Sequence, residues 1–265
     1  MSTSNIKLSV FTKPWRTLSI PELGMKIRKL GVDGIEFPLR SGYQLEPKDA
    51  EKGLPILVSQ LSEYGLDIFS VASDLDEHVF AGCAAAGIPL IRTMPSISRG
   101  VGYMESERRE RAKLEQALVF SKQYRVKIGV QQHYGDFVTD SMGLRHLLDG
   151  LDPEYIGGIW DAAHDGLAGQ QPEYGLDIVW DQLAMVNLKN AYYQRTNGPE
   201  AEEAKWERYF TLGKHGLASW PRVAAYLKQR DYQGVVTLSA EYSDEERVDE
   251  LIQEDVLYAR MLFHR

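Results

Sequence analysis

The chain has 265 residues, 43% of them hydrophobic, with a formal net charge of −8, six histidines and a single cysteine. That length supports one substantial core, since a domain of this size buries about 75% of its unfolded surface. The acidic balance argues against a nucleic-acid partner, which calls for a basic patch, and the lone Cys83 excludes an internal disulfide and suits a reducing cytosol.

The opening Met1-Ser2-Thr3-Ser4-Asn5 has no apolar h-region, and no run approaches the roughly 20 apolar residues of a membrane span, so a cytoplasmic protein is expected. No Pro/Gly/Ser-rich linker or compositional break divides the chain, which predicts a single domain over residues 1–265. One unit recurs along it: a helix-patterned stretch, a glycine near its end, then a short β-rich run. Lys29 to Glu36, Glu63 to Phe69 and Ala86 to Ile91 repeat this pattern through Gly31, Gly65 and Gly87, because glycine adopts the left-handed conformation that stops a helix. Strands are predicted to begin near Lys7, Val32, Asp67, Pro89, Val126, Ile156, Leu183 and Val235, mostly spaced for a strand and a crossover helix. Ser19-Ile20-Pro21-Glu22 and Ser243-Asp244-Glu245-Glu246 both read as capping boxes, and the mixed charges from Glu105 to Lys113 read as a solvated helix face. Eight strand-then-helix units predict a (β/α)8 barrel; a doubly wound open sheet is the alternative, weakened because no Gly-rich dinucleotide fingerprint follows the first strand.

Polar clusters stand where the later hydrophobic runs end: Gln131-Gln132-His133, Asp161 to His164, Asn187 to Asn190, and Glu241. Such groups at the carboxyl ends of parallel strands are where barrel enzymes keep their chemistry. Alternation gives Gln131 and His133 a shared direction, as it does Asn187 and Lys189, and Ser239 and Glu241. In order and spacing these segments resemble the Glu-x-His, Asp-x-x-His, His-x-Lys-Asp and final Glu motifs of the xylose-isomerase-like TIM barrels. That group includes sugar-phosphate isomerases and epimerases, ketose 3-epimerases, inosose isomerases and dehydratases, and an endonuclease IV branch. The resemblance runs from Leu8 to Glu241. It implies one divalent cation, here Mn²⁺ or Mg²⁺, held weakly if at all by Gln131, Asp161, Asn187 and Glu241, and a sugar or cyclitol whose protons two Glu move in the family; with Gln131 in place of one, Glu241 would need His133, His164 or Lys189 as its partner. It also allows a homo-oligomer, with no nucleic acid or membrane as partner.

The chain departs from those motifs in ways that matter chemically. Gln131 stands for a Glu, Asn187 for a His and Asn190 for an Asp. Four oxygen donors remain for a hard ion, but an amide cannot titrate, so a two-base epimerisation loses one base. Two readings stay open: an isomerase, epimerase or dehydratase working next to a carbonyl, or a degenerate barrel that binds a sugar-like ligand or a protein partner. The endonuclease reading is weaker, because strands three and four end in Ala72-Ser73-Asp74 and Arg92-Thr93-Met94-Pro95 without histidine. Substrate contacts are expected from His133, Arg92, Glu36 and Trp15. The candidates also have plainer alternatives: Asp161 as a helix N-cap, Glu241 as a solvated loop carboxylate, His133 and His164 as structural histidines, Lys189 in a structural ion pair, Glu36 and Arg92 as surface charges, and Trp15 in packing.

Overall fold

The computed structural model describes residues 5–263, so residues 1–4 of the opening segment, and residues 264–265, lie outside the described part. Ten strands are present there: β1 (Lys7–Phe11), β2 (Gly34–Pro38), β3 (Asp67–Ala72), β4 (Leu90–Thr93), β5 (Lys127–Gln131), β6 (Ile156–Asp161), β7 (Leu183–Leu188), β8 (Asn190–Arg195), β9 (Trp206–Thr211) and β10 (Val235–Leu238). Eight of them close into a barrel in the order β1-β10-β7-β6-β5-β4-β3-β2, with every neighbour pair parallel. The helices are α1 (Ile20–Leu30), α2 (Ala50–Ser62), α3 (Glu77–Ala86), α4 (Tyr103–Tyr124), α5 (Ser141–Leu148), α6 (Ala162–Leu167), α7 (Pro172–Val179), α8 (Trp220–Gln229) and α9 (Val248–Phe263). This is the (β/α)8 barrel expected from the repeated unit, and all eight barrel strands begin within two residues of their predicted starts. No helix among the described residues is long and apolar enough to cross a membrane.

Local chemistry explains the helix limits. The Ser19 backbone N–H donates to the Glu22 carboxylate at 2.8 Å, which completes a capping box at the start of α1. Gly31 ends that helix with a φ of 75°, where a side chain would meet its own carbonyl. Leu23 and Ile27 are fully buried from α1, as are Leu54 and Leu61 from α2, so the main core lies between helices and barrel.

The barrel interior is built in layers. Leu90, Ile159 and Met185 form a separate small core inside it, and the Ser70 and Thr237 hydroxyls donate to the Met185 sulfur at 3.8 and 3.5 Å. Gly129 belongs to this layer for a steric reason: a Cβ there would lie 2.5 Å from Ile159 Cδ1. Strand period two then sends Arg92, Gln131, Asp161 and Asn187, each two residues further on, into the next layer toward the carboxyl ends. The apolar floor thus carries a polar layer above it.

Two features differ from the sequence reading. The segment after β7, where no further strand was predicted before Val235, contains an antiparallel hairpin in which β8 pairs with β9 from Asn190↔Thr211 to Arg195↔Trp206. Ser243 is not the cap of α9, which starts five residues later after a 3-10 turn at Glu245–Arg247. Its backbone N–H donates to the Phe210 carbonyl at 3.0 Å and its Oγ accepts from the Phe210 N–H at 2.9 Å. Ser243 therefore ties the hairpin to the loop after β10, and a serine engaged this way cannot also cap a helix.

Candidate active site

Glu241 follows Ala240, whose φ of 50° turns the chain abruptly at the end of the last barrel strand. The carboxylate beyond this bend meets two ammonium groups: Lys13, from a 3-10 turn after β1, at Oε1, and Lys189, just past β7, at Oε2 and 2.9 Å. Burial would raise the Glu241 carboxyl, but the charges of Lys189 and Lys13 outweigh it and hold the group far below the usual carboxylate range. Lys189 is 4% exposed and Lys13 42%, so Lys13 is the partner that can leave without moving the barrel.

A second chain of contacts crosses the same layer. Arg92 donates from Nε to Glu36 at 2.5 Å and from Nη1 to the Gln131 Oε1 at 2.6 Å, and Gln131 in turn donates from Nε2 to the Asp161 Oδ2 at 2.8 Å. The other Asp161 oxygen accepts the N–H groups of Ala163 and His164, which makes Asp161 the N-cap of α6 as well as part of the mouth. Burial lifts the Asp161 carboxyl above its ordinary value, against the pull of Lys189.

One wall of the mouth is aromatic. The His133 and His164 rings stand 4.2 Å apart, Tyr134 and Phe137 pack on His133, and Phe210 reaches in from β9. Burial, helped by Lys189, pushes His133 down to about 4 and His164 well below its usual value, so both imidazoles are neutral at neutral pH. Phe210 lies under the Lys189 ammonium at 4.4 Å, and the Arg208 guanidinium packs on Tyr134 at 3.7 Å and on Phe210 at 4.3 Å. Several buried polar atoms here have no hydrogen-bond partner: both ring nitrogens of His164, whose Nε2 lies 3.8 Å from the Asp161 Oδ2, the Asn187 Oδ1 and the Arg208 Nε. Unpaired buried polar atoms cost free energy, and their gathering at one mouth is what a ligand site requires.

The structure thus brings Glu241, Lys189, His164, His133, Arg92, Glu36, Gln131, Asp161 and Asn187 to one end of the barrel. Trp15 does not join them; its indole donates to Asp249 at 2.7 Å and lies under Lys26, on the α1–α9 side. That leaves it as a packing residue. Glu36 and Arg92, expected separately, are partners in one buried pair. Lys13, Arg208, Phe210 and Tyr134 were not foreseen, although Arg208 and Phe210 stand two apart in an alternating run from Trp206 to Phe210, the pattern of one strand face.

As arranged, the four expected ligands do not fit a divalent cation. Gln131 gives its oxygen to Arg92 and aims an N–H at Asp161, and each Glu241 oxygen carries an ammonium. Among the described residues no group of three or more His, Cys, Asp or Glu side chains could hold a metal ion. The positive charge that a metal would bring is supplied instead by Lys189 and Arg92, in contact with the same donors.

Known proteins of this shape are informative. An inosose dehydratase from Mesomycoplasma hyopneumoniae (strain 7448) is 23% identical over 276 aligned positions, covering 89% of this chain and 89% of that protein. The structure of D-psicose 3-epimerase with D-tagatose from Clostridium cellulolyticum H10 superposes with a TM-score of 0.74 at 11% identity, covering 98% of this chain and 100% of that one. That of 3-keto-D-glucoside 4-epimerase from E. coli does so with a TM-score of 0.74 at 12% identity, covering 97% and 99%. At such identities the two structures show a shared fold. Residues 25–260 match the family model of the xylose isomerase-like TIM barrel, and the chain belongs to that family.

Proposed function

We propose that this protein is an isomerase, epimerase or dehydratase that moves a proton on the carbon next to the carbonyl of a small sugar or cyclitol. One observation carries the reading: an ionised carboxylate, an ammonium group and two neutral imidazoles converge at the mouth, beside polar atoms that lack partners. The full-length similarity to an inosose dehydratase supports a cyclitol ketone as the first substrate class to try.

The roles follow from charge and position. Lys189, almost fully buried, holds the carbonyl oxygen and stabilises the negative charge that develops when the neighbouring proton leaves. Glu241 is the proton acceptor. With both lysines on it the carboxylate is a weak base, so a substrate that draws Lys13 away raises its basicity at the moment it is needed. His164, neutral and without a hydrogen-bond partner, takes a hydrogen bond from an adjacent hydroxyl or gives one to it, and His133 supports it from the side. Arg92, Glu36 and Gln131 fix the far wall. Delivery of a proton to the opposite face of the same carbon, which needs a second donor such as His164, gives epimerisation; delivery to the former carbonyl carbon, with a proton passed between the two oxygens, gives isomerisation; and loss of a β-hydroxyl, protonated to leave as water, gives dehydration. The expected Mn²⁺ or Mg²⁺ has no step here, because the donor set does not fit it.

The test is solvent exchange. Inososes and ketoses are incubated with the protein in D₂O and the α-proton is followed by ¹H NMR. Exchange should occur with at least one substrate and fall at least 100-fold in Glu241→Gln; exchange by wild type that survives in this variant removes Glu241 from the mechanism. Binding of a saccharide with no exchange anywhere in the panel supports the second reading, a degenerate barrel, which the amides at Gln131 and Asn187 favour.

A further inference from the structure

We infer that the ligand of this mouth is an anion, a polyhydroxylated carbonyl compound bearing a carboxylate or phosphate group that Arg208 receives. This rests on the reading of the mouth as a sugar or cyclitol site and narrows its substrate class.

The charge balance is the first ground. The chain as a whole is acidic, at −8, yet the mouth is rich in cations. Lys13 and Lys189 share the single carboxylate of Glu241, and Arg92 is matched by Glu36. Among the described residues no carboxylate forms an ion pair with Arg208 or with Arg40; Arg40 is repelled by Arg92 and attracted by Glu36 and Glu241, carboxylates that Arg92, Lys13 and Lys189 already hold. The remaining carboxylate, Asp161, is already bonded by the Gln131 amide and two backbone N–H groups.

The second ground is how Arg208 is held. The rings of Tyr134 and Phe210 cover its guanidinium, its Nε is buried without a partner, and it is one of the cations acting on His164. A guanidinium packed on aromatic rings keeps its edge free, and that edge presents a planar fork of N–H donors matched to two oxyanion oxygens. The side chain is partly exposed, so its outer part is open to solvent when the mouth is empty. A ligand covering the mouth removes that water. A neutral sugar would then leave a desolvated, unpaired cation, whereas an anionic group replaces the water with a charge-matched bond. Arg208 also sits on the β8–β9 hairpin, outside the barrel wall, and shares the Phe210 ring with Lys189, so it can meet a second group of the ligand that Lys189 holds.

Matched probes test this by calorimetry: D-fructose 6-phosphate against D-fructose, and D-glucuronate against D-glucose, with wild type, Arg208→Met and Arg208→Lys. At least one charged probe should bind tenfold or more tightly than its neutral partner. Arg208→Met should abolish the preference with an unchanged melting temperature, and Arg208→Lys should keep part of it. Which charged probe wins tells phosphate from carboxylate. A neutral probe that binds as tightly as its charged partner, or a preference that survives in Arg208→Met, overturns the inference and leaves the sugar-site reading standing. If no probe binds at millimolar concentration and no inosose or ketose exchanges its α-proton, both fall.

Discussion

Asn190 donates its two amide hydrogens to the carbonyls of Gly213 and Ala218, at 2.8 and 2.7 Å, and accepts from the backbone N–H groups of Ala191 and Ala218. Read against the family pattern it stands in place of an acid, and the structure supplies a physical reason: a carboxylate has no hydrogen to give two carbonyls. Asn190→Asp should therefore remove two donors and set a charge against two buried oxygens, lowering stability by about 3 kcal/mol in urea unfolding. A drop below about 1 kcal/mol would mean that the loop does not depend on this clamp. Asp161, Lys189 and Glu241 were legible in the sequence because each lies in a short polar cluster at the end of an apolar run. Lys13 was not, since nothing local in Lys13-Pro14-Trp15 says that its ammonium will meet a carboxylate 228 positions away. The pairing of Arg92 with Glu36 was hidden for the same reason: strand ends are visible one at a time, and closure of the barrel decides which of them meet.

The elements show where periodicity informs and where it does not. Barrel strands bury both faces, so their Val, Ile and Leu runs stand out from the surrounding chain. The β8–β9 hairpin does not stand out, because Tyr193 and Trp206 are exposed and the turn between its strands is polar. Its attachment to the loop after β10 depends on Ser243, whose sequence neighbourhood imitates a helix start. Ser243→Ala removes the hydroxyl that accepts the Phe210 N–H, a loss of about 1 kcal/mol. Hydrogen exchange should then speed up at the Phe210 amide and along β9, while β5 and β6 keep their protection. Equal acceleration throughout the barrel would show that the hairpin does not open as a separate unit.

At the scale of the whole molecule, two carboxyls outside the proposed chemistry shape the pH response. Burial raises Asp165 and Asp255 to about 6, against the hydrogen bonds that Trp160 and Ser141 give the first and Gly213 and Tyr242 give the second. In the unfolded chain an aspartate releases its proton near 3.9, so between about pH 4 and 6 these two carboxyls keep protons in the fold that the unfolded chain has lost, a share of stability that falls as pH rises and opposes the rising share from His133 and His164, which are neutral in the fold and charged in the unfolded chain. Above about 6 both states are ionised and the penalty is constant. Asp255→Asn should remove its falling share, so that the urea midpoint rises more, or falls less, from pH 4 to 6.5 than in wild type; an unchanged pH dependence would clear Asp255 of responsibility. The seam of the barrel has a further consequence. It lies between β1 and β10, with Lys7 opposite Val235, so the two strands that seal it are about 230 residues apart. At a synthesis rate of roughly 5–20 residues per second the ribosome needs between about 10 and 45 s to deliver the second after the first. For that interval Leu8 and Val10 have no strand on one side, and the nascent chain carries an open apolar edge that only its own last quarter can cover.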